Sequence, residues 1–598
     1  MGGSMAQLRI AMAQMNAAVG DLEGNTEKIL KALQRAKRIG VDIVTFPELM
    51  LSGCPPQDLL WNAGFLADSR RMLDRIVEES EGLTVIGGCV NQQSEALYNA
   101  AVILHDGCVL GVQRKAHLAN CGLFDESRYF QAGAEAQPLY LIRDLCIGVM
   151  IGEEIQAPEG PLLVQALNGA NLIVHVAASP YYAGEPAFRE RLLAARAVES
   201  GVTLASTNMI GGQDQLIFSG AAVIVNPQGT VLARGRLFEE DLVIADLDVQ
   251  DLTDSKLRHP GCRGPVPEMS MENIPRCRLI CAEPADAGRA LLPLHERPLL
   301  PANPKDLYAG RSAQERNLKE LYDALTLGLR DYVRKNGFTQ VVLGLSGGID
   351  SALVAALAVD ALGPDHVLGV LMPGPYSSQG SIDDALALVE HLKIAHRIIA
   401  ITPIYDVFLE QLAAAFEGCP PNVAEENIQA RCRGVVLMGI ANKFGSLTLT
   451  TGNKSEVSVG YATLYGDMAG GLGVISDLPK TKVYALARYR NQVAGYDLIP
   501  AKSLDKPPSA ELRENQKDSD SLPDYQVLDA ILSAYLDEHK CVPEIVELGY
   551  EPKLVSEIIR RVDRSEYKRQ QAAPGLKVST AAFGLDRRLP MTNSYRCT

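Results

Sequence analysis

An apolar run at 340–345 (QVVLGL) meets Ser346-Gly347-Gly348-Ile349-Asp350-Ser351, and a helix-forming stretch at 352–362 follows. Two glycines at a strand-to-helix turn let backbone N–H groups close on a phosphate, and the helix start adds a positive dipole end. Ser346 and Ser351 supply hydroxyl donors, and Asp350 is a candidate for magnesium contact or for holding the loop. The loop lacks the Gly-Lys-Ser/Thr ending of a P-loop, which disfavours kinase or GTPase chemistry.

Such a loop needs a rigid sheet behind it. Spacing predicts a helix over 313–335, then the strand, the loop, the helix and a further strand over 366–372. This order indicates a parallel, doubly wound sheet, placed in a domain spanning 306–598. The amino-terminal half predicts strands at 8–15, 42–46, 83–90, 97–104, 146–151, 171–178, 202–208, 221–226 and 242–248. A helix begins near Asn25-Thr26, carries Ile29, Leu30, Leu33 and Ala36 on one face and stops at Gly40. Residues 105–107 and 226–229 read as hairpin turns, giving an α/β domain over 5–250. Between the domains, 251–305 gains Pro, Arg and Glu, loses periodicity and reads as an irregular linker. It holds His259, Cys262, Cys277 and Cys281, whose spacing fits no strong zinc-finger pattern and favours unrelated loop residues.

The 598 residues exceed what one core organises, in keeping with two domains. A formal charge of -15 argues against a nucleic-acid or membrane-surface binder. Twelve scattered cysteines read as reduced thiols of a cytoplasmic protein, and no apolar run reaches membrane-span length. The Met1–Met5 start has no signal-peptide character and reads as an appended segment outside the fold.

The Ser346–Ser351 loop resembles the pyrophosphatase loop of the N-type ATP pyrophosphatases, which cleave ATP between the α and β phosphates. Five further segments narrow this: EENIQARCRG (425–434), TTGNKSE (450–456), VGYATLYGDMAGGL (459–472), KPPSAELRENQKDSDSLPDY (506–525) and YKRQQAAPGLKVS (567–579). Together they resemble the NAD synthetases over residues 310–598. The resemblance implies a Rossmann-like fold of the adenine nucleotide alpha hydrolase type. It implies adenylation of the deamido-NAD carboxylate by ATP, release of pyrophosphate, and displacement of AMP by ammonia. Gly344, Leu345, Ser346, Gly347, Gly348, Ile349, Asp350, Ser351 and Thr451 would bind ATP, and Asn427, Glu456 and Lys568 deamido-NAD. Asp350 and Glu456 would hold Mg2+. Residues 505–525, rich in Pro, Ser, Asp and Lys, read as a lid that keeps water from the adenylate, against the plainer reading of a mobile loop. A homo-oligomer is implied as well.

The amino-terminal segments FPELMLSGCPPQDLL (46–60), RKAHLANCGLFDESRYF (114–130), IGVMIGEEIQAPEGP (147–161) and NMIGGQDQLIFSG (208–220) resemble the nitrilase-like glutaminase domain fused to many NAD synthetases. That domain is an α-β-β-α sandwich in which a Glu acts as base, a Lys steadies the oxyanion and a Cys attacks the glutamine amide. Glu48 and Lys115 match the first two, but the Cys position is Gly152. Glycine has no side chain to attack with. Cys146 lies six residues back along a strand, about 20 Å away. Rescue by Cys121 would demand a different attack geometry. Cys121 stands where a Tyr is usual, Glu185 where a basic residue is usual, and Ser179 is retained.

Three changes in one pocket favour natural loss of glutaminase activity and direct use of ammonia, with the first domain as scaffold. A deliberate Cys-to-Gly change in a glutamine-dependent enzyme is the competing reading. A third reading makes the first domain a non-catalytic binding module.

Overall fold

The computed structural model describes residues 7–122, 124–258, 275–282 and 311–595. The chain divides into two compact units, residues 1–213 with 218–310, and residues 214–217 with 311–598.

The first unit stacks two sheets. Six strands lie in the order Asp241–Asp248, Gln7–Gln14, Ile43–Thr45, Thr84–Gln93, Ala96–His105 and Cys108–Arg114. Seven lie in the order Val231–Arg234, Val223–Val225, Thr203–Asn208, Leu172–Ala177, Leu145–Ile151, Leu139–Ile142 and Leu279–Cys281. Alternation along each strand sends Ile10, Met12 and Ile103 of one sheet against Ile147, Val149 and Val174 of the other. The outer face of the second sheet, through Met150, Ile173 and Leu204, is covered by Leu162 of helix Pro161–Leu167 and by Leu193 and Ala197 of helix Glu185–Ser200. Helices Leu22–Arg38 and Ala63–Glu78 belong to the first sheet's side of this α-β-β-α sandwich.

All nine strands expected in this half are present, with ends shifted by up to three residues. The hairpin at 105–107 turns on Asp106 and Gly107, both at positive φ (49° and 77°), as a tight two-residue turn requires. The first helix starts at Leu22, three residues before the expected Asn25. Asp21 is its cap, accepting from Gly24 N at 2.9 Å, while the Asn25 side chain is buried and ties the Ala18 and Leu51 carbonyls. Among the described residues of 251–305, regular structure occurs at two places. Val249–Arg258 is a helix, and Leu279–Cys281 pairs in parallel with Leu139–Ile142. A three-residue strand has too few positions to show a period, so pattern reading misses it. His259 and Cys262 lie outside the described residues, as does the Met1–Met5 segment. Cys277 is half-buried, Cys281 is exposed, and both are free thiols.

The second unit holds five parallel strands in the order Ala395–Ile398, Val367–Leu371, Val341–Gly344, Leu447–Thr450 and Leu472–Gly473. In chain order this is 3-2-1-4-5, the doubly wound arrangement expected. The direction of winding reverses between Val341–Gly344 and Leu447–Thr450, and that reversal opens a crevice at their carboxyl ends. Helix Ala313–Lys335 has the expected bounds and is opened by a capping box between Ser312 and Glu315. The helix after the loop runs Ile349–Leu362, three residues earlier than expected, so Asp350 and Ser351 belong to its first turn.

The inter-sheet core predicts a specific cost. Ile147→Ala removes a side chain with no exposed surface and destabilises the first unit by about 2–5 kcal/mol. Denaturation followed by the fluorescence of Trp61, the chain's one tryptophan, reads that unit. An unmoved midpoint would mean that the sheets do not meet at Ile147.

Candidate functional site

In the second unit, Ser346-Gly347-Gly348 leads from Val341–Gly344 into helix Ile349–Leu362. Gly347 sits at φ +76°, and a Cβ there would lie 2.2 Å from the Ser381 carbonyl oxygen. Both conformation and space therefore demand glycine. The hydroxyls knit the loop together. Ser346 Oγ accepts from Gly348 N at 3.2 Å, and buried Ser351 Oγ donates to the Gly348 carbonyl at 3.0 Å.

Across the crevice, strand Leu447–Thr450 runs into Thr451-Gly452-Asn453 and the helix Lys454–Val459. Asn453 caps that helix, accepting from Glu456 N at 3.0 Å, and its amide donates to Asp350 Oδ1 at 2.9 Å. Lys480, at the start of helix Lys480–Ala494, joins the two acids. Its Nζ lies 2.5 Å from Asp350 Oδ2 and 3.2 Å from Glu456 Oε1. Burial alone would lower the Lys480 ammonium, but Asp350 and Glu456 outweigh it and hold it above the usual range. Burial pushes Glu456 up, while Lys480 pulls against it.

Gly344, Leu345, Ser346, Gly348, Ile349, Asp350, Ser351, Thr451, Glu456 and Lys480 line one cleft. Gly347, Asn427 and Lys568 are not among its lining residues. Asn427 Oδ1 accepts from Thr463 Oγ1 at 2.8 Å, and Lys568 Nζ donates to the carbonyls of Gly460 and Ala462 at 2.7 and 2.8 Å. Both side chains thus hold the 460–463 segment, whose Tyr461 and Thr463 do line the cleft.

The segment 505–525 lies against this cleft. Glu511 Oε1 accepts from Ser381 Oγ at 2.7 Å, Ser378 Oγ at 2.9 Å and Lys506 Nζ at 2.9 Å. Gln429 Nε2 donates to the Leu512 carbonyl at 2.9 Å. Buried Asp518 accepts from Tyr461 and Tyr525 hydroxyls at 3.2 and 2.8 Å.

The first unit carries a second cluster where strands of both sheets end. Glu48 follows Ile43–Thr45, Lys115 follows Cys108–Arg114, and Gly152 follows Leu145–Ile151. Lys115 Nζ donates to Glu48 at 2.8 Å, Glu126 at 3.0 Å and Glu153 at 3.4 Å. Asn99 Nδ2 donates to Glu48 and Glu126 at 2.7 and 2.9 Å. Burial works to lower the Lys115 ammonium, yet Glu48, Glu153 and Glu126 together hold it well above the usual range. Burial raises Glu126 and Glu153, with Lys115 opposing.

Gly152 has φ +55°, where a side chain is strained, and a Cβ there would lie 2.6 Å from Glu48 Oε2 and 2.7 Å from Lys115 Nζ. A side chain at this position would therefore project between an acid and an ammonium. His175 steadies this turn. The Gly152 carbonyl can only accept, so His175 Nε2 carries the proton and donates to it at 2.7 Å, leaving Nδ1 to accept from Ser206 Oγ at 2.9 Å.

Cys121 is exposed and Cys146 half-buried. Cys54 feels the charges of this cluster, but burial and then Glu48 push its thiol well up, so it holds its proton. Ser179 reaches the cluster by donating to Glu153 Oε1 at 3.5 Å. Glu185 is buried against Arg189 at 2.9 Å and the Ser219 hydroxyl at 3.2 Å, an internal ion pair. Sequence reasoning named Glu48, Lys115 and Gly152 but passed over Glu126, Glu153, Asn99 and His175. Glu126 and Glu153 stood inside the quoted segments, whereas nothing local marks Asn99 or His175. Lys480 was missed for the same reason.

A Gly-rich loop at the switch point of a parallel sheet, in one chain with an α-β-β-α sandwich carrying a buried Glu–Lys pair, defines the class of amide-forming carbon–nitrogen ligases with an amidohydrolase-type domain. Comparison with known proteins is specific. Residues 321–572 match the NAD synthase family and residues 9–256 the carbon-nitrogen hydrolase family. The glutamine-dependent NAD(+) synthetase of Thermotoga maritima is 43% identical over 99% of this chain and 100% of its own, and that of Aquifex aeolicus 42% over 98% and 100%. The structure of the glutamine-dependent NAD+ synthetase of Acinetobacter baumannii, solved with ADP, matches at 34% identity and a TM-score of 0.72, covering 99% of this chain and 100% of that one. The chain belongs to the family of glutamine-dependent NAD(+) synthetases.

His175 sets a pH expectation. Burial lowers its imidazole to about 4 from the usual 6.5. The unfolded chain takes up this proton first, so the contribution of His175 to stability is full above pH 6.5 and is lost as pH falls toward 4. In 15N–1H spectra of the histidine rings, His175 remains neutral with Nε2 protonated from pH 8 to about 5. A transition near 6.5 would contradict the buried placement.

Proposed function

We propose that this enzyme amidates deamido-NAD with ATP through an adenylate and takes its nitrogen from free ammonia. The reading rests on the crevice that brings the Ser346–Ser351 loop face to face with Glu456 at the switch point of a NAD synthetase-type sheet. The nicotinate carboxylate attacks the α phosphate of ATP, pyrophosphate leaves, and ammonia then displaces AMP from the acyl carbon. Backbone N–H groups at Gly348 and the helix start take the phosphate charge, and Thr451 lines the nucleotide side. Asn427 and Lys568 shape the deamido-NAD side by holding the segment at 460–463. The 505–525 segment excludes water from the adenylate, which hydrolysis would waste.

Asp350 and Glu456 suit a magnesium ion. They come from separate elements, converge on one cationic group, and supply hard oxygen donors. Among the described residues no three His, Cys, Asp or Glu form a metal-holding group. That fits an ion which keeps its waters and shares one or two carboxylates with substrate phosphates. When bound, it would neutralise charge building on the phosphate oxygens. Glu456→Gln lowers kcat/KM for NAD formation by about a hundred-fold or more. A loss below ten-fold would remove Glu456 from the reacting site.

Gly152 carries the choice of nitrogen source, because thiolate attack has no atom to start from. We expect NAD formation from deamido-NAD, ATP and magnesium with ammonium, and little with glutamine. Equal rates with both donors would overturn direct use of ammonia. Activity with neither donor would overturn the synthetase reading. The alternative, a glutamine-dependent enzyme altered at one position, draws on the preserved Glu48–Lys115 pair. Gly152→Cys separates the two: recovered glutamine use favours the alternative, and no recovery favours a pocket that has decayed elsewhere, at Cys121 and Glu185. Among the described residues no helix is long and apolar enough to cross a membrane.

A further inference from the structure

Lys480 stands where a cation belongs. It is 2% exposed, and its ammonium bridges Asp350 on the phosphate loop and Glu456 on the helix across the crevice. The remaining oxygens of those acids face Asn453, at 2.9 Å from its amide and 3.4 Å from its backbone N–H. Among the described residues, no other cationic side chain pairs with either acid. Asp518, on the segment over the cleft, adds a further negative charge felt by the same ammonium, while its oxygens are taken by Tyr461 and Tyr525. The Tyr525 ring flanks Nζ at 5.2 Å.

We propose that Lys480 is an internal counter-ion that competes with a divalent cation for Asp350 and Glu456, so that metal binds this pair tightly only together with a nucleotide. The proposal rests on the reading of those two acids as metal ligands.

The argument is electrostatic. Two buried carboxylates held together need a positive charge, and a buried ammonium needs a negative one. Metal alone, on taking the pair, would leave Lys480 charged, buried and unpaired. A nucleotide changes this balance, because its phosphate oxygens give the displaced ammonium new acceptors in the same cleft, which Lys480 lines. The four-carbon stem lets Lys480 turn from one set of acceptors to the other without moving its helix. Each buried charge thereby keeps an opposite partner in both states, and divalent cations arriving without nucleotide are disfavoured.

The test measures Mn2+ binding to the full chain by electron paramagnetic resonance, without nucleotide and with the α,β-methylene analogue of ATP. Without nucleotide, Lys480→Gln tightens Mn2+ binding by about ten-fold or more relative to the wild type. Lys480→Arg, which keeps a cation in place, leaves it weak. Adding Asp350→Asn to Lys480→Gln abolishes the gain and so locates it at this pair. Binding to K480Q no tighter than to the wild type would overturn the proposal. If Asp350→Asn alone leaves Mn2+ binding with the analogue unchanged, the assignment of the metal ligands falls, a separate failure. Lys480→Met keeps the buried aliphatic stem should K480Q fold poorly, and carries the same expectation. A second readout is the melting temperature, which Mn2+ raises more in K480Q or K480M than in the wild type; equal shifts would count against the competition.

Discussion

The candidate site of each unit is organised around a buried ammonium that carboxylates must surround. Lys115 and Lys480 are 1% and 2% exposed, and neither could remain charged there alone. Removing one partner from such a group typically costs about 3–5 kcal/mol, because it leaves a bare buried charge. The acids that meet this need come from different strand ends and loops, so the charge requirement constrains the folding of segments far apart in sequence. Glu48, Glu126 and Glu153 meet Lys115, and Asp350 and Glu456 meet Lys480.

The two folds deliver these groups by the same geometric device. Strand ends of a sheet carry loops that are free to vary while the strands are held by the core. In the second unit the reversal of winding between Val341–Gly344 and Leu447–Thr450 leaves their carboxyl ends adjacent and unbridged, which puts Asp350 opposite Glu456. In the first unit the ends of strands from both sheets meet, which brings Glu48 and Lys115 of one to Gly152 of the other. Local caps then fix each acid: Asn453 orients the helix of Glu456, and Asn99 bridges Glu48 and Glu126.

Position 152 shows how one side chain divides chemistry from architecture. The turn, its positive φ, the His175 support and the Glu–Lys pair together aim position 152 into the cluster. The buried charges need one another whether or not a nucleophile stands among them. Glu185 shows a related accommodation: where resemblance leads one to expect a basic residue, the acid is neutralised by Arg189 on the same helix.

Much of this was legible in the sequence because it is local. The apolar run before Ser346, the glycines after it and the helix beyond are encoded by neighbours, and so are alternating strands such as 97–104 and the Asp106-Gly107 turn. The three-residue strand Leu279–Cys281 escaped because so short a segment owes its conformation to the sheet edge it joins. Lys480, Glu126 and Asn99 escaped because a lone Lys, Glu or Asn is ordinarily a solvated residue, and nothing near them in sequence says otherwise. Only the tertiary structure decided that these side chains are buried and that Lys480, 130 residues from Asp350, is its partner. Periodicity and turn chemistry act over a few residues, whereas the pairing of buried charges is settled by which chain ends the folded sheets bring together.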